Sequence, residues 1–503
     1  MSEVLGVCVG EPETREVEFV ASQKVSLGDY VEINYEGYRV LGFVRNVKRV
    51  NRHMEGIFQP EEIESIGKLT SRDSFFMGTI SILGDPSKGM FIPRIPPEPG
   101  TKVYRASAET LRKVFGEGDE RKIKIGHLLT RPDVSVYIDV DSIVSRHLAI
   151  LAVTGGGKSN TVSVILEGLL SKNGTILVFD MHGEYVDFGG GEQLKRIDLV
   201  LNPLRLNYQE FRIFANVDDS AYIQDRYLRK AFKEVVKEIT EDFKTPAEEF
   251  WARLELELQK YRVDETFKDD WKSITGVINK VEDMKEFYGE LFDPLATPIV
   301  DQIEFGKLNV VDLSHVDEKI ADIVVSHVLR NVLESRKSYV RYGKGLPFPL
   351  FTVLEEAHIL ASSTINTRSR YWISRIAREG RKFGLGLCLV TQRPKALDSN
   401  ALSQANNMII LRLVEPGDQR HVQQASESLS SDLVEQLPSL NVGEALVMGR
   451  MIPVPALVKI DLAKMKRSGN DISAVEEWAK YRKKSSEAKQ QLEDLMGMED
   501  MEF

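Results

Sequence analysis

The segment Leu148-Ala-Ile-Leu-Ala-Val-Thr-Gly-Gly-Gly-Lys158-Ser-Asn-Thr161 constrains this chain more than any other. An apolar run ends in three glycines and a Lys-Ser pair, and apolar periodicity resumes over residues 162–170. Strand, glycine loop and helix in that order form a triphosphate-binding loop. Gly155, Gly156 and Gly157 let backbone N–H groups turn inward around a phosphate without Cβ clashes. The helix N-terminus adds partial positive charge at the same place. Lys158 is then expected on the β and γ phosphates and Ser159 on Mg²⁺. Val153, Thr154 and Asn160 flank the loop and are counted with it as nucleotide-binding. Ala152 stands where the pattern has its first glycine. The plainer reading, a glycine-rich turn before a helix, leaves the preceding strand and the Lys-Ser pair unexplained.

The chain has 503 residues, enough for about three domains. Hydrophobic residues make up 42% and charged residues 28%, the balance of a globular protein with ample core. No apolar run approaches the roughly 20 residues of a membrane helix. The opening Met-Ser-Glu-Val has no basic segment leading into an apolar one, so no signal peptide is expected. Cys8 and Cys388 are the only cysteines, which argues against a disulfide scaffold or zinc site and fits a reducing cytoplasm. A net charge of −10 does not advertise nucleic-acid binding, but a ring that threads DNA needs only a basic lining.

Residues 1–125 read as all-β, with strands at 17–21, 30–35, 38–44, 77–83 and 102–104 between turn signals. A small β-barrel is the economical form, because closure removes edge strands. From about 132, strands alternate with helices: strands at 149–153, 175–180, 308–313, 350–354, 386–391 and 408–413, and a long helix over 320–339. This is the pattern of an α/β core built on a parallel-rich sheet. The expected ATPase core is thus 126–205 with 301–465. Residues 206–300 interrupt it with helical spacing at 221–239, 246–261, 265–284 and 286–292, which predicts a bundle packed on the core. The charged segment 466–503 reads as helical with little apolar surface of its own, either a frayed end or an arm packed on a neighbour.

Three strand ends carry the remaining chemistry. Residues 348–354 run into Glu355-Glu356-Ala-His358. Glu355 is expected to hold Mg²⁺ through water, and Glu356 to orient or deprotonate the attacking water. Asp-Glu is the usual pair, so Glu355 brings an extra methylene. The strand 175–179 runs into Asp180-Met-His182-Gly-Glu184-Tyr185. Strand C-termini face the ligand crevice, so Asp180 and Glu184 are expected near the γ-phosphate and metal; the plainer role of Asp180 is to cap a turn. The strand 385–390 ends in Thr391-Gln392-Arg393-Pro394, which offers the Gln392 amide as a γ-phosphate sensor. Upstream lies a basic segment: Arg368, Arg370, Arg375, Arg378, Arg381, Lys382, Arg393 and Lys395 against Glu379 alone. Arginines there could act as fingers on a neighbour's nucleotide or touch DNA phosphates, or simply form a solvated helix face. Arg146, before the phosphate-loop strand, is a second candidate finger.

The phosphate loop, Asp180–Tyr185, Leu354–His358 and Ala377-Arg-Glu-Gly-Arg-Lys-Phe-Gly384 leading to Thr391–Pro394 together resemble the HerA family, the archaeal branch of the FtsK–HerA hexameric DNA translocases. Gly28-Asp29-Tyr30 and Val40-Leu41-Gly42 resemble the barrel that opens those proteins. The resemblance implies a RecA-like core in a homo-hexamer, ATP between subunits, double-stranded DNA through the pore and a NurA-type nuclease as partner in resecting DNA ends. It implies that the C-terminal arm braces the adjacent subunit and that Lys459 and Ile460 approach the base of the nucleotide. Within it, Arg381 is the first choice for the finger in trans. A secretion or conjugation motor moving protein or single-stranded DNA is the rival reading; a scaffold with a degenerate site is a second, opposed by Lys158, Ser159 and Glu356.

Overall fold

The structure is a computed structural model that describes residues 3–51, 74–116, 118–426, 428–465, 474–475 and 478–482. The expected C-terminal arm falls almost wholly outside these residues. Strands β1 (Val4–Val9), β2 (Glu16–Ala21), β3 (Tyr30–Tyr35), β4 (Tyr38–Asn51), β5 (Ser74–Gly84) and β6 (Lys102–Arg105) close into a barrel in the order β1-β2-β5-β4-β3-β6. Alternation in these strands sends Leu5, Phe19, Val31, Ile33, Val44 and Ile80 inward to a core of the barrel's own. Tyr30 faces the other way: its ring packs edge-on against Phe115 and its hydroxyl donates to the Pro455 carbonyl at 3.0 Å. That contact and an Arg45–Asp432 ion pair dock the barrel on the rest of the chain.

Everything else is organised by one mixed sheet. Its strands are β7 (Lys122–Leu128), β8 (Ser135–Asp139), β9 (Leu148–Leu151), β10 (Ile176–Asp180), β11 (Leu194–Ile197), β12 (Leu308–Asp312), β13 (Leu350–Leu354), β14 (Leu385–Thr391), β15 (Asn407–Ile410), β16 (Glu444–Gly449) and β17 (Ala456–Ile460). The order is β11-β12-β10-β13-β14-β9-β15-β16-β17-β7-β8. From β11 to β15 neighbouring strands are parallel; from β15 to β8 they are antiparallel. The parallel strands β9, β10, β13 and β14 are buried at every position, as expected of a sheet covered on both faces. The barrel closes with β6, and β7 already pairs with β17, so residue 125 lies inside a strand of the large sheet. Nothing in the hydrophobic pattern had marked β8 or the antiparallel placement of β16 and β17.

The insertion between β11 and β12 contains helices Tyr222–Thr240, Phe250–Val263 and Trp271–Tyr288. Phe211, Phe232, Phe250 and Trp251 cluster at their common centre, with the Phe211 and Phe232 rings stacked 4.5 Å apart and Phe250 edge-on to Phe211 and Trp251. The last long helix starts later than its periodicity suggests. Asp264 accepts from the Thr266 amide, which sets a 3₁₀ turn over Glu265–Asp270. The long helix of the core spans Glu318–Tyr342 and ends at the left-handed Gly343.

A buried polar staple fixes the start of β9. His147 follows the helix Val140–Arg146, donates from Nε2 to the Ala377 carbonyl at 2.9 Å and accepts from the Leu387 amide at Nδ1, 3.0 Å. Asn407 donates to the Ser142 and His147 carbonyls and accepts from the Met451 amide. Burial lowers the His147 pKa from 6.5 to about 4, with the bond to Ala377 opposing. The neutral ring is the folded form, and the unfolded chain binds the extra proton. This stabilisation is therefore complete above about pH 6.5 and lost as pH falls toward 4, a loss of about 3 kcal/mol. Urea unfolding as a function of pH should show this limb in the native chain and a flatter one in His147→Asn.

Candidate functional site

Register brings the site together. Across β10, β13, β14 and β9, Phe179 pairs with Leu354, Leu354 with Leu389 and Thr391 with Leu151. The four strand tips end within two residues of one another, so residues more than 200 positions apart share one crevice. The loop after β9 has Gly155 and Gly157 at φ of 75° and 98°. A Cβ on Gly157 would also lie a tight 3.1 Å from the Gly443 amide nitrogen, which adds to the preference for glycine that the positive φ sets. Lys158 and Ser159 open the helix Lys158–Leu170, and its first-turn amides face the loop.

Lys158 Nζ lies 2.6 Å from Glu356 Oε1 and 3.4 Å from Glu355 Oε2. Consecutive residues of a strand point to opposite faces. Glu356 escapes this through a left-handed backbone, φ 45° and ψ 45°, which turns both carboxylates toward one ammonium. For a non-glycine residue that conformation costs on the order of 1 kcal/mol. Both acids are almost fully buried, at 5% and 3% exposure. Burial pushes the Glu355 pKa up; Lys158 and the Tyr185 hydroxyl oppose it. Burial likewise disfavours the Lys158 ammonium, but the two glutamates more than offset that and raise its pKa.

The pair is oriented from both sides. Tyr185, fully buried, donates to Glu355 Oε1 at 2.6 Å. Gln392 Nε2 donates to Glu356 Oε1 at 3.1 Å, and Gln392 Oε1 accepts from the Thr154 hydroxyl at 2.6 Å. Glu356 Oε2 accepts no hydrogen bond; His358 Nδ1 is 3.3 Å away but engaged with Thr391 Oγ1 at 3.0 Å. This buried, unshared oxygen beside the loop is what a water-activating base presents. Glycine loop, lysine, first-turn serine and paired acids fit Mg-triphosphate. Ser159 and Glu355 would hold the ion, the triphosphate and water completing its shell; no cluster of three or more acidic, His or Cys ligands occurs among the described residues.

Asp180 and Asn160 lie elsewhere than expected, and the two candidate fingers in trans lie away from their own loop. Asp180 is turned onto its own loop. Oδ1 accepts from the His182 and Glu184 amides at 3.3 and 3.1 Å, and Oδ2 from the Tyr185 amide at 2.7 Å. Burial raises its pKa against these three donors. Its carboxylate is spent on loop geometry, which delivers Tyr185 to Glu355. Asn160 binds the segment after β17, through the Asp461 carbonyl and the Ala463 amide, so its side chain does not face the crevice. Arg146 and Arg381 precede β9 and β14, at the edge of the sheet opposite Lys158, about 20 Å away along seven residues of β14. They cannot reach their own phosphate loop. Arg146, Arg381 and Arg450 lie near one another; partial burial and the other two guanidiniums lower the Arg146 pKa. Lys459 and Ile460 touch the loop indirectly: Lys459 Nζ donates to Val442 O at 2.7 Å, and Ile460 N to Gly443 O at 2.9 Å, behind Gly156. Tyr185 and His358 stood inside the quoted segments with no role assigned; an aromatic hydroxyl five residues past a strand-end acid was the available signal.

A phosphate loop on a parallel-rich sheet, with a lysine and two glutamates at neighbouring strand tips, defines a P-loop ATPase. Residues 123–332 match the model of the helicase HerA central domain, and residues 5–84 that of the HAS barrel domain. The DNA double-strand break repair helicase HerA of Saccharolobus solfataricus is 38% identical over 97% of this chain and 98% of its own. A probable helicase of Methanocaldococcus jannaschii is 43% identical over 95% and 94%. The chain belongs to the HerA helicase family. In fold it is similar to VirB4 of Thermoanaerobacter pseudethanolicus (TM-score 0.50, 16% identity, 69% of this chain and 99% of that one). The plasmid coupling protein TrwB gives the same TM-score at 13% identity, over 73% and 95%.

Tyr185→Phe keeps the buried ring and deletes one charge-assisted hydrogen bond. The expected outcome is a fall in kcat of roughly tenfold or more, with binding of a non-hydrolysable ATP analogue changed less than about threefold. A merely structural Tyr185 would instead lower the thermal midpoint and leave kcat intact.

Proposed function

We propose that this chain is a ring-forming, ATP-driven motor that translocates on or unwinds double-stranded DNA, acting with a NurA-type nuclease in end resection during double-strand-break repair. The observation that carries the ATPase step is the Lys158–Glu356–Gln392 constellation with its unshared carboxylate oxygen. Mg²⁺ supplies charge neutralisation at the β and γ phosphates when bound. Lys158 and the amides of residues 155–159 hold the phosphates. Phosphate oxygens compete with Glu355 and Glu356 for the Lys158 ammonium. Glu356, released from that contact, takes a proton from the attacking water through Oε2. Gln392 reports the γ-phosphate to Glu356, and Thr154 fixes which end of its amide faces the carboxylate. Asp180 acts through Tyr185, which keeps Glu355 aimed at the metal position.

The separation of Arg381 and Arg146 from their own loop supports a ring in which each subunit lends these arginines to the next. The reading favours a hexamer, with movement nearly independent of sequence because phosphates are gripped. DNA is favoured as cargo over protein because relatives named DNA double-strand break repair helicase span almost the whole chain. No helix among the described residues is long and apolar enough to cross a membrane, in keeping with a cytoplasmic motor.

Steady-state ATP hydrolysis with and without blunt duplex DNA tests the reading. Duplex is expected to raise the wild-type rate several-fold, and Glu356→Gln to lower it by about 10² or more. Complementation tests the shared site. Arg381→Ala and Lys158→Ala are each expected to be inactive, and their mixture to regain activity, since mixed rings contain interfaces with both side chains intact. A mixture as inactive as its parts would remove Arg381 from the neighbour's site.

A further inference from the structure

A cationic cleft lies between the helical insertion and the arginine-bearing helix Arg368–Glu379. It encloses about 570 Å³ and is lined by Arg229, Lys233, Ser326, Arg368, Tyr371 and Trp372, among others. The acid at its floor, Glu210, is already matched: it accepts from the Asn207 amide at 3.0 Å and faces His327 Nδ1 at 3.0 Å and Arg330 at 3.2 Å. Asp225 lies 3.5 Å from Arg229 but also faces Arg212 at 3.4 Å and accepts from the Tyr208 hydroxyl. Positive charge therefore dominates the cleft. Tyr371, 56% exposed, and Trp372 stand edge to face at its wall, and the Arg375 guanidinium lies 5.2 Å from the Trp372 ring centre.

We propose that this cleft grips the sugar–phosphate backbone of DNA, with Lys233 and Arg368 on phosphates and Tyr371 against a sugar or base. The inference rests on the DNA-motor reading and gives it a contact surface. Cations from two separate elements, with no glycine loop between them, suit a polymer of spaced phosphates rather than a mononucleotide. The cleft is also tied to the catalytic acids. The short helix Ala357–Leu360 begins directly after Glu356, and its last carbonyl accepts from both the Thr367 and Ser369 hydroxyls, at 2.7 and 2.5 Å. Asp322 holds the Arg368 and Ser369 amides at 2.8 Å each. A load on Arg368 is thereby delivered within four residues of Glu356.

The test is fluorescence anisotropy of a blunt duplex of about 30 base pairs across a salt series. It compares the full chain, Lys233→Glu/Arg368→Glu, and the equally charged control Lys48→Glu/Lys102→Glu on the barrel. The cleft variant is expected to bind at least about tenfold more weakly than the control and to lose about two units of salt slope. Its affinity for a non-hydrolysable ATP analogue should stay within about twofold of wild type, which certifies the fold. Wild-type affinity and slope in the cleft variant would overturn the inference, as would an equal loss in the control. A wild-type chain that binds no duplex at any salt would instead overturn the DNA reading beneath it.

Discussion

Two carboxylates held almost dry beside one ammonium set the terms for the rest of this structure. Burying Glu355 and Glu356 costs several kcal/mol per charge unless each finds partners. Lys158 serves both, Tyr185 and Gln392 serve one each, and the left-handed turn at Glu356 lets the two side chains share them. Every one of these partners comes from a different strand tip. The parallel register of β10, β13, β14 and β9 is what makes that convergence geometrically available. The apolar core beneath, from Leu148–Leu151 to Leu350–Leu354, excludes the water that would otherwise weaken these contacts.

Much of this is legible in the sequence alone. A glycine loop after an apolar run, and acids or amides closing other apolar runs, identify strand tips, and parallel sheets gather such tips at one edge. The barrel and the helical insertion were likewise visible as changes of period. What periodicity does not carry is strand order. The pairing of β17 with β7, and the antiparallel half of the sheet, follow from long-range packing that local pattern leaves open. Side-chain partners were harder still. Asp180 has the right residue type at the right strand end, yet three amides two to five residues later claim its oxygens first. Asn160 sits in the right helix turn, yet the chain after β17 passes close enough to take it. A short polar side chain bonds whatever backbone lies nearest, and that backbone is set by the fold.

The two edges of the parallel strands have different characters. One carries the phosphate loop and glutamates; the other carries Arg146, Arg381 and Arg450, braced by neutral His147 and by Arg336, whose Nε donates to the Phe383 carbonyl at 2.8 Å. The long helix Glu318–Tyr342 contacts both ends: Asp322 near its start holds the helix Arg368–Glu379, and Arg336 and Lys337 near its finish hold the turn that bears Arg381. Chemistry at one edge and arginines at the other are thus joined through one helix.

The pairing of β7 with β17 bears on how such a chain is made. Leu128 faces Val458, so 330 residues separate partners in one ladder. At ribosomal rates of roughly 5–20 residues per second, the β7–β8 hairpin waits on the order of 15–60 s for its neighbour. The barrel, with its own closed core, can fold at once. The hairpin cannot, and its free edge is open to other chains during that interval. Synthesis speed and early shielding of that edge therefore bear on the yield of this protein as directly as its final stability does.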